Sequence, residues 1–256
     1  MTPKLICIVG PTAIGKTSLS IKLAKHFSSE IISADSRQFY KEMNIGTAVP
    51  TADELKQAKH HFIQHISITE NYNVGKFEEE AIAVLDHIFE SNSRAILVGG
   101  SGLYQKAITK GLDLFPDVPS EVREKYNEIL KNDGIEKLQN LLKENDPKSY
   151  NSIEISNPRR LMRALEIFDV SGNSFLDFQN QKKKPRHFTS VKIGLEAPRE
   201  VIYSRIEQRV DLMVEQGLVE EAKQLYSFKQ FNALQTVGYK ELFAHFDGEI
   251  SLDLAI

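Results

Sequence analysis

The sequence predicts an α/β fold in which a doubly wound parallel sheet is interrupted by an all-helical insertion. Three observations carry this. The chain opens as strand, glycine-containing loop and helix between Lys4 and Phe27. Ala95-Ile96-Leu97-Val98, closed by Gly99-Gly100, is the continuous apolar run of a parallel strand buried on both faces. From Ser120 to about Ser171 there are helical patterns and no convincing strand.

The elements follow in order. Lys4 to Val9 is rich in β-formers, and Leu19, Leu23 and Phe27 share one face of a helix begun at Lys16. Glu30-Ile31-Ile32-Ser33-Ala34 reads as a second strand that ends in Asp35-Ser36. Thr51-Ala52-Asp53-Glu54 carries the capping-box pattern that starts a short helix, and Phe62-Ile63-Gln64-His65-Ile66 is a further strand candidate. A helix from Lys76 to Phe89 leads into the Ala95–Val98 strand. After Gly111 come helices over Val122 to Leu130 and Ile135 to Leu142, then one capped by Asn157, with Pro158 in its first position and Gly172 just past its end. The basic stretch Gln181-Lys182-Lys183-Lys184-Pro185-Arg186 closes the insertion, Val191 to Leu195 returns to a strand, and Pro198 opens another long helix. The expected domains are 1–110 with 187–256 as a discontinuous core, and 111–186 as the helical insertion.

Composition excludes several function classes. With 26% charged and 41% hydrophobic residues among 256, the chain is neither disordered nor of low complexity. No apolar stretch is long enough for a membrane span, so no membrane partner and a cytoplasmic setting are expected. The single cysteine, Cys7, sits in an apolar run and reads as a buried residue, not a redox centre. A formal charge of -3 supplies no overall basic field, so any nucleic-acid binding has to come from local patches.

Gly10-Pro11-Thr12-Ala13-Ile14-Gly15-Lys16-Thr17 matches G-x-x-x-x-G-K-[ST] between a strand and a helix, the context that the motif's mechanics require. Glycines let backbone amides converge on phosphate oxygens, the helix N-terminus adds its dipole, Lys16 neutralises charge and the Thr17 hydroxyl can ligate Mg²⁺. The fold class is thus a P-loop NTPase-like parallel sheet core with an all-helical insertion domain. The motif leaves open whether the polyphosphate belongs to a nucleotide or to another diphosphate.

Asp35 ends the next strand, at the edge where ligands of open α/β sheets sit. It reads as a Mg²⁺ ligand, as a base beside the transferred group, or as a turn cap. In the helix after Pro198, Ile202, Ile206, Val210 and Met213 fall within an arc of about 80° and are expected to be buried. Arg209 lies at the edge of that arc, where it either snorkels outward or meets a buried anion. On the Asn157–Gly172 helix, Leu161, Ala164, Leu165 and Phe168 form the apolar stripe, while Arg159 and Arg163 share the opposite face with Arg160 at its flank. That ridge is either a solvated helix face or a phosphate-backbone contact, which the Lys182–Lys184 run would extend. His61 and His65 have the spacing of a helical metal pair, but no Cys or Glu completes a zinc set.

The phosphate loop, Ile32-Ser33-Ala34-Asp35-Ser36-Arg37-Gln38, Gly46-Thr47-Ala48, Leu97-Val98-Gly99-Gly100-Ser101-Gly102-Leu103-Tyr104, Asn157 to Glu166 and Thr236-Val237-Gly238-Tyr239-Lys240-Glu241 together resemble the bacterial tRNA isopentenyltransferase (dimethylallyltransferase) family. The resemblance implies transfer of the dimethylallyl group of dimethylallyl diphosphate to the exocyclic amine of the adenosine just 3′ of the anticodon, by a monomer that holds the anticodon arm of tRNA. It implies that Gly10 to Thr17 hold the diphosphate with Mg²⁺ on Thr17, and that Asp35 and Arg209 are catalytic. It also implies that Asp35, Ser36, Arg37, Gln38, Arg159, Arg160, Leu161, Met162, Arg163, Gln235, Gly238 and Lys240 meet tRNA. Ser101 departs from the family's more usual Thr, and family members continue past Ile256 into a basic helical segment, so a further segment is expected there. The rival reading is an ATP-dependent small-molecule kinase, which accounts equally well for Gly10 to Asp35 but leaves Arg159 to Arg163 unexplained.

Overall fold

Alternation of strand and helix produces one parallel five-stranded sheet. A computed structural model describes residues 2–179, 181 and 185–256, so the Lys182-Lys183-Lys184 run lies outside the described residues. The chain forms β1 (Lys4–Val9), α1 (Lys16–Phe27), β2 (Ile31–Ser33), α2 (Ala52–Gln57), β3 (His60–His61), α3 (Val74–Ser91), β4 (Arg94–Val98) and α4 (Gly102–Lys110). There follow α5 (Ser120–Asn145), α6 (Pro147–Tyr150), α7 (Pro158–Ser171), β5 (Thr189–Gly194), α8 (Arg199–Glu215), α9 (Leu218–Leu225), α10 (Tyr239–Phe246) and α11 (Leu252–Ala255). Strand order is β3-β2-β4-β1-β5 with every pairing parallel. Contacts sort these elements into two compact units, Met1–Lys110 with Arg186–Ile256, and Gly111–Pro185. Arg186 belongs to the first, where its guanidinium donates to the carbonyls of Ala107 and Ile108 and pairs with Glu78.

In the larger unit the period of two along each strand sorts side chains to opposite faces. Leu5, Cys7, Ile32, Ala95 and Leu97 enter one core, with Phe77, Leu85 and Ile108 from α3 and α4. Ile6, Ile8, Ile31, Ile96 and Val98 enter the other, against Ile21 and Ala24 of α1. Leu19, Leu23 and Phe27 only flank that second core, because Ser20, Ile21 and Ala24 are the α1 residues turned squarely onto the sheet. Fully burying an Ile or Leu contributes about 1.5–3 kcal/mol, and Leu5, Ile8, Ile31, Ile32, Ile96 and Leu97 are all 0% exposed. Cys7 is buried here, and burial pushes its thiol up to about 11, which keeps it protonated and inert.

Two expectations are corrected in this unit. Phe62 to Ile66 is not a strand: only His60 and His61 pair with β2, and Phe62 and Gln64 turn the backbone left-handed at φ 63° and 46°. A single bridge, Tyr40 to Ile66, survives of the expected pairing. In α8 no residue is fully buried, and Ile202, Ile206, Val210 and Met213 are half-covered, because the helix runs along the surface beside α9.

The smaller unit is helical. Gly134, at φ 78°, breaks α5 at the point that separates its two apolar patterns. Asn157 caps α7 through the amides of Arg159 and Arg160, Pro158 occupies its first position, and Gly172 ends it at φ 67°. Its core joins Tyr126, Leu138 and Leu142 to Leu161, Ala164 and Leu165. Glu166, only 5% exposed, is met by Arg163 at 3.3 Å and Arg123 at 3.7 Å. Buried Asp146 accepts from the amides of Ser149 (3.1 Å) and Phe175 (3.0 Å) and from the Ser174 hydroxyl (2.8 Å), tying α6 to the turn after α7. Among the described residues no helix is long and apolar enough to cross a membrane.

Burial alone would raise the Asp146 carboxyl, but its hydrogen bonds from Ser149, Ser174 and Phe175 outweigh that and hold it below the usual carboxylate range. A depressed carboxyl stabilises the fold above its unfolded value of about 4, and that contribution disappears as pH falls through the folded value. Asp146→Asn is therefore expected to lower unfolding free energy by about 1–3 kcal/mol at pH 7. In denaturation measured at both pH values, its gap from the wild type should narrow at pH 3.

Candidate active site

Strand β1 ends in the phosphate loop, and the loop's shape follows from two glycines and one short side chain. A Cβ on Gly10 would come within 2.8 Å of the Leu195 carbonyl oxygen, so only glycine passes there. Ala13 and Gly15 adopt left-handed φ values of 60° and 100°, which turn the chain into α1. Gly15 offers no side-chain cap and α1 has no acid in its first turn, so its leading amides are uncapped by side chains, the arrangement that favours an anion. Lys16 Nζ donates to the carbonyls of Gly10 (2.9 Å) and Pro11 (2.6 Å).

A cavity of about 860 Å³ opens over this loop and takes in Thr12 to Ser18, Asp35, Gln38, Asn44, Ile45, Ala48 to Ala52, Gly99, Gly100, Arg209 and Met213. Burial depresses the pKa of Lys16, nearby Asp35 opposes the shift and Arg209 adds to it; burial likewise depresses Arg209, again opposed by Asp35. Two partly desolvated cations and one carboxylate thus share a single site. Arg209 does not snorkel outward: it is half-buried and lines the cavity, while Arg205, one turn earlier, is exposed.

The position of Asp35 depends on the junction of β2 and β4. A Cβ on Gly99 would overlap the carbonyl carbon and oxygen of Ala34, so glycine is what lets the two strand ends meet. One on Gly100 would stand 3.4 Å from Asp35 Oδ2. Asp35 Oδ1 accepts from the Arg37 amide at 3.2 Å, a turn cap that orients the carboxylate without consuming its second oxygen. Ser101 Oγ accepts from the Ser36 amide at 3.1 Å and lies 3.0 Å from its hydroxyl, pinning the same turn; a threonine there would keep that hydroxyl.

The family model described as IPP transferase matches residues 38–256. The chain belongs to the IPP transferase family. This family member is 59% identical over 256 residues to a tRNA dimethylallyltransferase of Christiangramia forsetii, covering 100% of this chain and 85% of that one. It is 55% identical to that of Flavobacterium johnsoniae, covering 98% and 84%. The crystal structure of full-length tRNA isopentenylpyrophosphate transferase from Bacillus halodurans superposes with a TM-score of 0.69 at 38% identity, covering 98% of this chain and 80% of that one. A eukaryotic dimethylallyltransferase acting on tRNA superposes with a TM-score of 0.79 at 28% identity, covering 96% and 64%.

Several other residues singled out in the sequence have partners within the fold. The Arg37 guanidinium donates to the carbonyls of Asn232 (2.9 Å) and Ala233 (2.8 Å), and Gln38 Nε2 donates to those of Thr47 (3.1 Å) and Ala48 (2.9 Å). Gln235 and Lys240 are exposed, and Gly238 begins α10 at φ 90°. In the helical unit Arg159 and Arg160 are exposed and Arg163 is half-buried over the Phe115 ring. The three arginines line a separate cavity of about 570 Å³ with Asn157, Phe175 and Leu176. Leu161 is 0% exposed in the core of that unit, which removes its side chain from any contact surface, and Met162 packs half-buried against the same core. His61 pairs with Glu30 at 2.6 Å, while His65 packs among Phe39, Phe62 and Tyr72. Glu221, which the sequence reading does not single out, accepts from the amides of Asn44, Ile45 and Gly46, the first two of which line the cavity.

Because Arg37 satisfies two carbonyls far away in the chain, Arg37→Ala is expected to cost about 1–3 kcal/mol of stability. Chemical denaturation checks this, and a loss within about 0.5 kcal/mol, the size of an ordinary surface change, would contradict a bracing role.

Proposed function

We propose that this protein transfers the dimethylallyl group of dimethylallyl diphosphate to the exocyclic amine of the adenosine 3′-adjacent to the anticodon of tRNA. One observation carries the reading: in a member of the IPP transferase family, Lys16, Arg209 and Asp35 line one cavity at the carboxyl ends of parallel strands. The relatives are named as tRNA dimethylallyltransferases and lend nothing to the kinase reading.

In the reaction the bond between the allylic carbon and the diphosphate oxygen breaks, a bond from that carbon to the adenine nitrogen forms, and one amine proton leaves. The loop from Gly10 to Thr17 cradles the diphosphate through backbone amides, with the Thr12 and Thr17 hydroxyls beside it. Lys16 and Arg209 stabilise the charge that builds on the leaving oxygen, and their partial desolvation strengthens that interaction. Asp35 holds the amine in line with the allylic carbon and accepts its proton. The target base leaves its stack to reach this cavity, and Arg159, Arg160 and Arg163 supply phosphate contacts to the anticodon arm.

Among the described residues no three His, Cys, Asp or Glu side chains gather as a metal cage. Mg²⁺ needs none, since it takes one or two protein oxygens and fills its shell with phosphate and water, and the cavity-lining Thr17 hydroxyl suits that role. When bound, the ion would neutralise charge on the diphosphate.

Single-turnover transfer of labelled dimethylallyl from its diphosphate to tRNA tests the reading, and a wild type that labels no adenosine beside the anticodon contradicts it. Asp35→Ala should slow that step about 10²–10⁴-fold while tRNA affinity holds, because a group acting on the reacting amine counts mainly in the transition state.

Replacing Arg159, Arg160 and Arg163 together with Ala should weaken tRNA binding and reduce the slope of log affinity against log salt by about 2–3, roughly one released counterion per contact. Equal slopes would return the ridge to a solvated helix face.

A further inference from the structure

The Gly46-Thr47-Ala48 segment lies in an irregular loop between β2 and α2, and its conformation is imposed from a distance. Three successive amides point at one carboxylate. Glu221 Oε2, on α9, accepts from Asn44 N (3.1 Å) and Ile45 N (2.8 Å), while Oε1 accepts from Gly46 N (2.9 Å) and from the Tyr239 hydroxyl (2.5 Å). Four donors converge on two oxygens, so a backbone nest of the kind that binds free anions is filled by the chain's own glutamate. Tyr239, 0% exposed, holds the other side: a Cβ on Gly46 would approach its ring to 2.7 Å, which makes glycine a steric requirement there. Thr47 Oγ1 donates to the Met43 carbonyl at 2.9 Å, and Gln38 Nε2 donates to the carbonyls of Thr47 and Ala48. Ala48 is thereby kept left-handed at φ 46°, a conformation that a residue with a Cβ adopts only where its surroundings over-determine it.

This effort is spent on a loop that lines the cavity. Asn44, Ile45, Ala48, Val49 and Pro50 share that cavity with Thr12 to Ser18 of the phosphate loop. Ile45 and Val49 give it an apolar surface, the chemistry that suits a short branched hydrocarbon chain and not a phosphate. We infer that Glu221, seconded by Tyr239, is a positioning residue that holds the loop over residues 44–50 as the wall against which the allylic chain of the diphosphate donor rests. The inference builds on the transferase reading above and adds a residue that touches neither substrate.

The test is single-turnover transfer with the full chain, varying dimethylallyl diphosphate at saturating tRNA, together with tRNA affinity measured separately and the melting temperature. Glu221→Gln keeps the shape but replaces one accepting oxygen by an NH₂ that faces backbone donors. It should raise the apparent KM for the donor at least tenfold and slow transfer, with tRNA affinity within twofold. Tyr239→Phe, which keeps the ring and loses one donor, should raise that KM about threefold, and the double variant should be no worse than Glu221→Gln because both act through one carboxylate. A purely structural glutamate would lower the melting temperature and leave donor KM and rate within twofold in the folded protein, which would overturn the inference. A loss confined to tRNA affinity would overturn it equally. Should Glu221→Gln fail to fold, Tyr239→Phe carries the same comparison. A wild type that transfers normally beside unaffected variants sinks only this inference, whereas an inactive wild type sinks the transferase reading and this with it.

Discussion

Gly99 lies so close to Ala34 that no side chain fits between them, and much of the site is arranged around that contact. It brings the ends of β2 and β4 together, which sets Asp35 at the mouth of the cavity that begins on the phosphate loop after β1. The neighbouring bonds lock the result in place: Ser101 holds the Ser36 amide, Gln105 donates to the Gly99 carbonyl at 2.7 Å, and the Arg37 amide caps Asp35. A carboxylate placed by backbone geometry needs little side-chain ordering when substrate arrives, which is the economy of a preorganised site.

Charge completes what geometry starts. Lys16 and Arg209 are both partly withdrawn from water, each has its charged form disfavoured by that burial, and Asp35 offsets it in both. Such a pair of cations gains most from a dianionic or trianionic ligand, and least from a neutral one. Asp35 therefore has two relations in the same cavity: it steadies the cations through space, and it presents an oxygen toward the side where Gly100 leaves clearance. Ile45 and Val49 give the same cavity some apolar surface, and Glu221 on another helix accepts from the Ile45 amide.

How much of this was legible in the sequence depends on the span of the interaction. The phosphate loop, the capping box at Thr51 and the Asn157-Pro158 to Gly172 bounds of α7 are local devices, and the structure places them where the residues predicted. A strand does not form over Phe62 to Ile66 because a short run of β-favouring residues does not set φ at each position, and Phe62 and Gln64 turn left-handed. Leu161 enters the core as the apolar stripe predicts, so the tRNA contact that the resemblance implies for it does not extend to its side chain. Arg37 and Glu221 were beyond reach, since their partners stand some 175 to 196 residues away in the chain. From the residues alone Arg209 reads as an oddity at the edge of an apolar stripe, and the resemblance adds its catalytic role; the fold supplies Asp35 as its neighbour.

The central claim is that the cavity over the phosphate loop takes an allylic diphosphate and not a nucleoside triphosphate. Calorimetric titration of an inert dimethylallyl thiodiphosphate into the tRNA-bound protein with Mg²⁺, repeated with ATP as competitor and with Lys16→Ala, tests it most directly. The account predicts binding of one analogue per chain, undiminished by ATP and abolished by Lys16→Ala. Displacement of the analogue by ATP, or binding that survives Lys16→Ala unchanged, would contradict it.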